Sequence, residues 1–275
     1  MRLKSLFILS FLFFSICTNA HGDLHKRILK VTEEIKKNPD SANLYFKRGK
    51  LYYQHSNYTN SLKDFDASKT LGFNNFEQDL LVAKSNYHLN KFRESKIIIK
   101  NILRDRPENV DALRLLADIY FKKKKFKKSA KLYQSVIQYS KKTRPEHYLY
   151  ASKAWFATNS KSGFEFSQQI LIEGIEKLGD VIVLYDKLVS NYVDIKDFDS
   201  ALRFQSKVIE ISNRKERAYL KLANIQIQQE KFKEAEISIE KSEASYKKLP
   251  HRIRNTKFMK EFYSELQSKK LSLKK

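Results

Sequence analysis

Aromatic side chains recur along the chain at a constant step, and basic side chains lie close to them in the sequence. Lys50 and Lys84 each come three residues before one of these aromatics, about one helical turn, and Arg114 precedes a third. Rings give contact area at low entropic cost and cations hold carboxylates, so the pattern predicts a track for an extended peptide with apolar and acidic side chains. The predicted track comprises Lys50, Tyr53, Lys84, Tyr87, Arg114, Phe121 and Trp155. The alternative is that these aromatics only pack between helices, as aromatic stripes at helical spacing usually do.

A run of lysines is the second candidate site. It comprises Lys122, Lys123, Lys124, Lys125, Lys127 and Lys128. The chain has a formal net charge of +23 at pH 7, which favours anionic partners. The run could therefore dock an acidic protein, a glycan or a phospholipid head group, or it could be an ordinary solvated turn. Nucleic acid would also suit the charge, but no nucleic-acid-binding module is recognisable, so we predict no nucleic-acid partner.

Nothing in the sequence predicts catalysis. Glycine-rich nucleotide-binding signatures, the paired-histidine zinc signature and the serine-nucleophile signature are all absent. Asp194, Asp197 and Asp199 lie together where a helix is expected to start, a position that favours caps over a cation site. His21 and His25 could bind copper, but two ligands without a third favour a plain tail. We predict no enzyme, no cofactor and no metal site.

The elements that must position these residues are indicated by a repeated column of aromatics. Its members are Tyr58, Phe92, Phe126, Phe164, Phe198 and Phe232, evenly spaced except for one slightly longer step between Phe126 and Phe164. Three residues after each comes a small residue: Ser61, Ser95, Ser129, Ser167, Ala201 and Ala235. A fixed period of about 34 residues predicts stacked helical hairpins, in which small residues let the two helices approach and the aromatic fills the gap at the start of the second helix. We therefore expect Phe126 to be a core residue.

These residues resemble the tetratricopeptide repeat. Residues 42–53 read ANLYFKRGKLYY and residues 58–65 read YTNSLKDF, with the glycine, tyrosine and aromatic of that family. Residues 113–120 and 126–133 repeat the pattern, and Pro39 and Pro107 fall where the family ends a repeat. The resemblance covers residues 42–249 and implies that the first helix of each hairpin lines a concave groove. Two departures are an insertion at 157–163 and Gln205 at an expected apolar position. Some members of that family grip a C-terminal carboxylate with a clamp of lysine and asparagine side chains. Phe46 and Lys50 occupy the equivalent helix here, so the resemblance does not imply this clamp.

The two ends of the repeat region predict capping helices. Leu24, Ile28, Val31 and Ile35 form one apolar face before Asn38-Pro39, within an N-terminal cap spanning 21–41. The six repeats are expected at about 42–75, 76–109, 110–143, 144–181, 182–215 and 216–249. Residues 250–275 predict one long capping helix with the apolar stripe Ile253, Phe258, Met259, Phe262, Leu266 and Leu271, ending in a frayed lysine tail.

Residues 1–20 are typical of a secretory signal peptide. A charged start is followed by an almost wholly apolar stretch to Cys17 and a small-residue site ending at Ala20. The alternatives are an uncleaved anchor and, less favoured, a lipoprotein modified at Cys17. Cleavage would leave a chain without cysteine that begins at His21. We expect a periplasmic or secreted protein with no integral membrane span in its mature form.

Taken together, the sequence predicts an all-α fold, an α-α superhelix of six helical hairpins with a capping helix at each end. Its expected function is that of a non-enzymatic scaffold in the cell envelope that binds a protein or peptide of acidic character. The alternative is an adaptor that binds an anionic glycan or lipid head group through its basic surface.

Overall fold

The structure of the 275-residue chain is a computed structural model that describes residues 23–273. These residues fold as helices joined by short turns, and no strand occurs among them. The helices are α1 (23–37), α2 (Ala42–Gln54), α3 (Tyr58–Thr70), α4 (Phe76–His88), α5 (Phe92–Asp105), α6 (Val110–Lys122), α7 (Phe126–Tyr139), α8 (Pro145–Phe156), α9 (Lys161–Leu178), α10 (Ile182–Asp194), α11 (Phe198–Ile211), α12 (Lys215–Gln228), α13 (Phe232–Lys247), α14 (His251–Arg254) and α15 (Lys257–Ser272). The prediction of an all-α chain of repeated hairpins is confirmed. The chain forms two compact units, and the boundary between them lies between Lys124 and Lys125.

In the first unit, α1 covers the open side of the α2/α3 hairpin. Ile28, Val31 and Ile35 are buried together with Leu51 of α2, and Leu24 packs against the same cluster. A second tie is polar: Arg48 of α2 donates to Thr32 of α1. The hairpin α4/α5 and the helix α6 complete this unit. The predicted signal peptide, Cys17 and His21 lie outside the described residues, whereas His25 lies exposed on α1.

Small residues let the two helices of a hairpin approach closely. The six small residues of the repeated column are fully buried. Where they are serines in the first unit, the hydroxyl bonds to the facing helix: Ser61 Oγ donates to the Gly49 carbonyl at 2.9 Å and Ser95 Oγ to the Ala83 carbonyl at 2.8 Å. A Cβ on Gly49 would lie 2.8 Å from the Phe65 ring. The cores of the hairpins α2/α3 and α4/α5 are therefore built on backbone proximity.

The aromatics of the column lie at the rim of this core. Five of the second helices begin at the aromatic itself, from Tyr58 of α3 to Phe232 of α13. None of the six is buried, and Phe232 is 52% exposed. The expectation that Phe126 is a core residue was therefore wrong: it is only half-buried. A residue at the first helical position projects over the turn that precedes it, so it covers the core without entering it.

The turns between the helices of a hairpin share one backbone feature that glycine would favour, yet none of them uses glycine. A residue in the left-handed region ends the first helix, with φ of 52° to 60°: Ser56, Asn90, Lys124, Asn159, Lys196 and Glu230. After Ser56, Asn90, Lys196 and Glu230 the next N–H reaches back to a carbonyl of the first helix, as when Asn57 N donates to Tyr52 O at 2.8 Å. This closes the C-terminal carbonyls of the first helix and fixes the hairpin angle.

In the second unit, the insertion at 157–163 adds a turn to the start of α9. That helix begins at Lys161, three residues before Phe164, and the Ser160 side chain caps it by accepting from Gly163 N at 3.1 Å. A Cβ on Gly163 would lie 2.7 Å from the Trp155 carbonyl oxygen, so only glycine fits there without a shift. Gln205 is also accounted for, because it is fully buried and its Nε2 donates to the Ala218 carbonyl at 2.7 Å.

The C-terminal cap is two helices and not the single long helix predicted. The chain breaks after α14, and Thr256 caps α15 by accepting from Met259 N. Met259, Phe262 and Leu266 are buried, but Phe258 and Leu271 are exposed, so these two were wrongly placed on the apolar stripe. Lys270 is not frayed, since its Nζ donates to Glu243 of α13 at 2.7 Å. Lys274 and Lys275 lie outside the described residues.

Candidate functional site

The predicted track begins in the last turns of α2 and α4, where Tyr53 and Tyr87 join a group of rings. The Tyr53 ring lies 5.6 Å from that of Tyr58 and 6.2 Å from that of His88. His88 stacks on Tyr58 at 4.4 Å and also contacts Tyr87 edge-on. Burial raises the pKa of both Tyr53 and Tyr87 and lowers the pKa of His88. The rings are half-buried and therefore still available for contact along one edge.

The lysines of the track are already in ion pairs. Lys50 Nζ lies 2.6 Å from Glu77, and Lys84 Nζ lies 3.1 Å from Asp111, in each case on the first helix of the following hairpin. Arg114 is half-buried on α6, and its positive charge acts to lower the pKa of Tyr53, against the larger effect of burial. An acidic partner would have to displace Glu77 or Asp111, so charge in this track serves first to join neighbouring hairpins.

Phe121 and Trp155 end the predicted track, and they differ in exposure. Phe121 is half-buried near the end of α6 in the first unit. Trp155 belongs to the second unit and is only 5% exposed. Its Nε1 donates to Gln134 Oε1 at 3.1 Å, and its ring lies 4.7 Å from Phe166. Trp155 is thus a packing residue, as the alternative interpretation of the aromatics proposed, and we remove it from the candidate site.

The predicted lysine run is exposed throughout. Lys122 ends α6, Lys123 and Lys124 form the turn, and the other three, Lys125, Lys127 and Lys128, lie at the start of α7. Lys123 Nζ lies 5.2 Å above the Phe92 ring. The acidic cluster holds a cap: Asp197 accepts from Ser200 N at 3.1 Å at the start of α11. Among residues 23–273 no group of three potential metal ligands occurs.

A cavity in the second unit was not anticipated from the sequence. It has a volume of about 790 Å³ and lies beside α12, between α10 and α15. Its apolar wall includes Leu220, Phe258 and Phe262, and its polar lining includes Arg217 and Asn224. The Asn224 side-chain oxygen is buried and has no hydrogen-bond donor among the described residues. The Arg217 guanidinium lies 5.2 Å above the Phe258 ring.

The chemistry of this cavity suits a polypeptide. A backbone N–H could satisfy the Asn224 oxygen, an apolar side chain could contact Leu220 or Phe258, and Arg217 could pair with a carboxylate. Its cationic side is not uniform, because Lys221 already pairs with Asp186 at 2.8 Å and the carboxylates of Glu261 and Glu265 lie on the α15 side. The walls of this cavity come from segments distant in sequence, mainly α10, α12 and α15, which is why no local motif revealed it.

Comparison with known families agrees with these hairpins. Two family models, both described as tetratricopeptide repeat, match residues 83–143 and 216–248. These matches show tetratricopeptide repeats at residues 83–143 and 216–248, in agreement with the helical hairpins described above. A search of curated protein sequences finds no significant match.

Solved structures share this fold at low sequence identity. The chain is similar to the C-terminal part of a TPR repeat-containing protein from Cytophaga hutchinsonii, at 13% identity and a TM-score of 0.69, covering 90% of this chain and 99% of that one. It is similar to a tetratricopeptide repeat protein from Parabacteroides merdae at 16% identity and a TM-score of 0.55, covering 96% and 98%. A structure of Naa15/Naa10 bound to HypK-THB matches at 13% identity and a TM-score of 0.54, covering 91% of this chain and 39% of that one.

The described part of the chain also bears on membrane insertion. No helix within residues 23–273 combines the length and the apolar character that crossing a bilayer requires.

Proposed function

We propose that this chain is a non-enzymatic scaffold that binds an extended segment of a partner protein along its first helices. The observation that carries the proposal is the cavity beside α12, which combines an apolar wall, a buried acceptor on Asn224 and the Arg217 guanidinium. A polypeptide supplies a donor, a carboxylate and an apolar side chain within a few residues. A solved relative in fold, Naa15/Naa10 bound to HypK-THB, is itself a protein complex, which supports the class of function.

The proposed partner segment is apolar and acidic. In the second unit the acidic group would pair with Arg217, which stacks on Phe258. In the first unit the half-buried rings of Tyr53 and Tyr87 would contact apolar side chains, since Lys50 and Lys84 are held by Glu77 and Asp111. The two surfaces can be tested separately, because charge dominates at Arg217 and ring contact dominates at Tyr53 and Tyr87.

A displayed library of random peptides tests this function without knowledge of the partner. We expect the selected peptides to be rich in acidic and apolar residues. They should bind Arg217→Glu at least tenfold more weakly than the parent protein, which is the scale of one useful contact. The double variant Tyr87→Ser with Lys84→Glu should weaken binding of any peptide that uses the first unit. Lys233→Glu, an exposed site on α13 with the same charge change, is the control. Undiminished binding to both Arg217→Glu and the double variant would refute the proposal.

We further propose a location in the cell envelope, periplasmic or secreted. Support comes from the charged start, the apolar stretch and the small-residue site within residues 1–20. Residues 1–20 fused to a reporter that works only outside the cytoplasm should confer activity, and mass spectrometry should find His21 at the start of the exported chain. An intact Met1 or a lipid on Cys17 would contradict cleavage after Ala20.

A further inference from the structure

Helix α7 and the segments beside it form a stretch without any carboxylate. From Ile119 to Pro145 the sequence has no aspartate or glutamate. Within the second unit this stretch contributes seven exposed cations, here named the α7 basic face: Lys125, Lys127, Lys128, Lys131, Lys141, Lys142 and Arg144. The other second helices mix the two signs; α13, for example, carries Glu234, Glu236, Glu240 and Glu243 beside its lysines. The surplus of charge is therefore local to α7.

Three of these lysines lie at the start of α7, where a helix disfavours cations. Lys125 occupies the N-cap of α7 and makes no capping hydrogen bond, and Lys127 and Lys128 follow in the first turn, which contains no acidic residue. The N-terminal end of a helix carries partial positive charge, so cations there destabilise the helix. Lysine also occupies the N-caps of α5 and α13 without a capping hydrogen bond, at Lys91 and Lys231, but a glutamate lies in each of those first turns and offsets the charge. A sequence that places cations where folding disfavours them indicates a demand other than stability.

We propose that the α7 basic face is a docking surface for an anionic lipid bilayer. The surface consists of exposed lysines with a single arginine, and lysine presents a point charge without the planar fork that selects one bound group. All seven of its residues are exposed, and none of them lines the α12 cavity. Diffuse point charges on an outer surface match the diffuse charge of a lipid head-group layer, where each nearby cation strengthens binding about fivefold. This surface is separate from the peptide site and does not depend on it.

Sedimentation with lipid vesicles tests the proposal. The protein is used from His21 onward, so that the apolar N-terminal segment contributes nothing. We expect binding to vesicles of equal parts phosphatidylglycerol and phosphatidylcholine, none to phosphatidylcholine alone, and release at about 1 M salt, where charges are screened within about 3 Å. The triple variant Lys125→Gln, Lys127→Gln and Lys131→Gln should bind about 100-fold more weakly, at about fivefold per cation.

A second triple variant separates this surface from net charge. Lys233, Lys241 and Lys260 are exposed on α13 and α15, and changing all three to Gln removes the same charge elsewhere. We expect it to bind vesicles nearly as well as the parent. Equal losses in the two triple variants, no binding to the anionic vesicles, or binding to heparin without binding to vesicles would each overturn the proposal. Arg217→Glu should leave vesicle binding intact, so a failure of either function can be told from a failure of the other.

Discussion

The strongest test of how the first unit is held together concerns Arg48 and Asp64. The guanidinium donates twice to the carboxylate, from Nε to Oδ2 and from Nη2 to Oδ1, each at 2.7 Å. The two side chains are only 17% and 7% exposed. Arg48 also donates to Thr32 at 3.2 Å, so one side chain joins α1, α2 and α3. Because the pair is shielded from water, removing one partner leaves a charge that neither water nor protein can satisfy.

Arg48→Met should therefore lower the free energy of unfolding by about 3–5 kcal/mol. The double variant Arg48→Met with Asp64→Leu should recover most of that loss, because replacing a buried pair by apolar side chains of similar size is often close to neutral. Urea unfolding followed by far-ultraviolet circular dichroism measures both changes. Lys47→Met is the matched control: its pair with Glu34 is exposed at 3.4 Å, and such pairs contribute about 1 kcal/mol or less. If Arg48→Met costs no more than Lys47→Met, or if the double variant is as unstable as the single one, the reasoning is wrong.

Three further predictions test other parts of the chain. Lys196→Gly should raise the free energy of unfolding by about 0.5–1 kcal/mol, because its φ of 60° strains a residue with a Cβ. Ile195→Gly, one residue earlier at a φ of −93°, should lower it, because a residue with a Cβ is unstrained there and glycine costs more backbone entropy. The hydrogen bonds of Glu243 to Lys247 and Lys270 lower its pKa to about 2, so its contribution is present above about pH 4.5 and lost as the pH falls. The instability of Glu243→Gln at pH 7, measured by urea unfolding, should accordingly disappear near pH 2. Lys127→Glu should stabilise the protein by about 0.3–1 kcal/mol through the helix dipole while weakening vesicle binding, and a variant that loses both would contradict the argument for α7.

The fold was predictable because one period governs its core. Every small residue of the column is fully buried, from Ser61 to Ala235, since two helices in close contact tolerate nothing larger at that point. The same period contains the ladder of ion pairs: Lys50 and Lys84 are one period apart, and so are their partners Glu77 and Asp111. Applying the same step to acidic as well as basic residues would have revealed that the lysines of the track are paired.

Other features could not be predicted from the period because local geometry departs from it. Trp155 occupies the same register position as Tyr53, but it is only 5% exposed, because its ring packs against Phe166 and its Nε1 donates to Gln134, whereas Tyr53 is half-buried. The left-handed turns use Ser, Asn, Lys and Glu, which give no glycine signal. The break between α14 and α15 did have a sequence signal: Thr256 is a good helix N-cap, which the apolar stripe alone does not reveal. The cavity beside α12 required tertiary structure.

The distribution of carboxylates around the cations leads to a final inference about how salt should affect the two proposed functions. Lys50 and Lys84 are held by carboxylates of their own unit, so ligand binding at Tyr53 and Tyr87 rests on ring contacts that salt does not screen. The α7 basic face has no carboxylate within its own stretch, so attraction to an anionic bilayer should fall steeply with ionic strength. Peptide binding to the first unit should thus survive a salt concentration that releases the protein from vesicles. A common midpoint for both losses would mean that the chain has one binding surface governed by net charge.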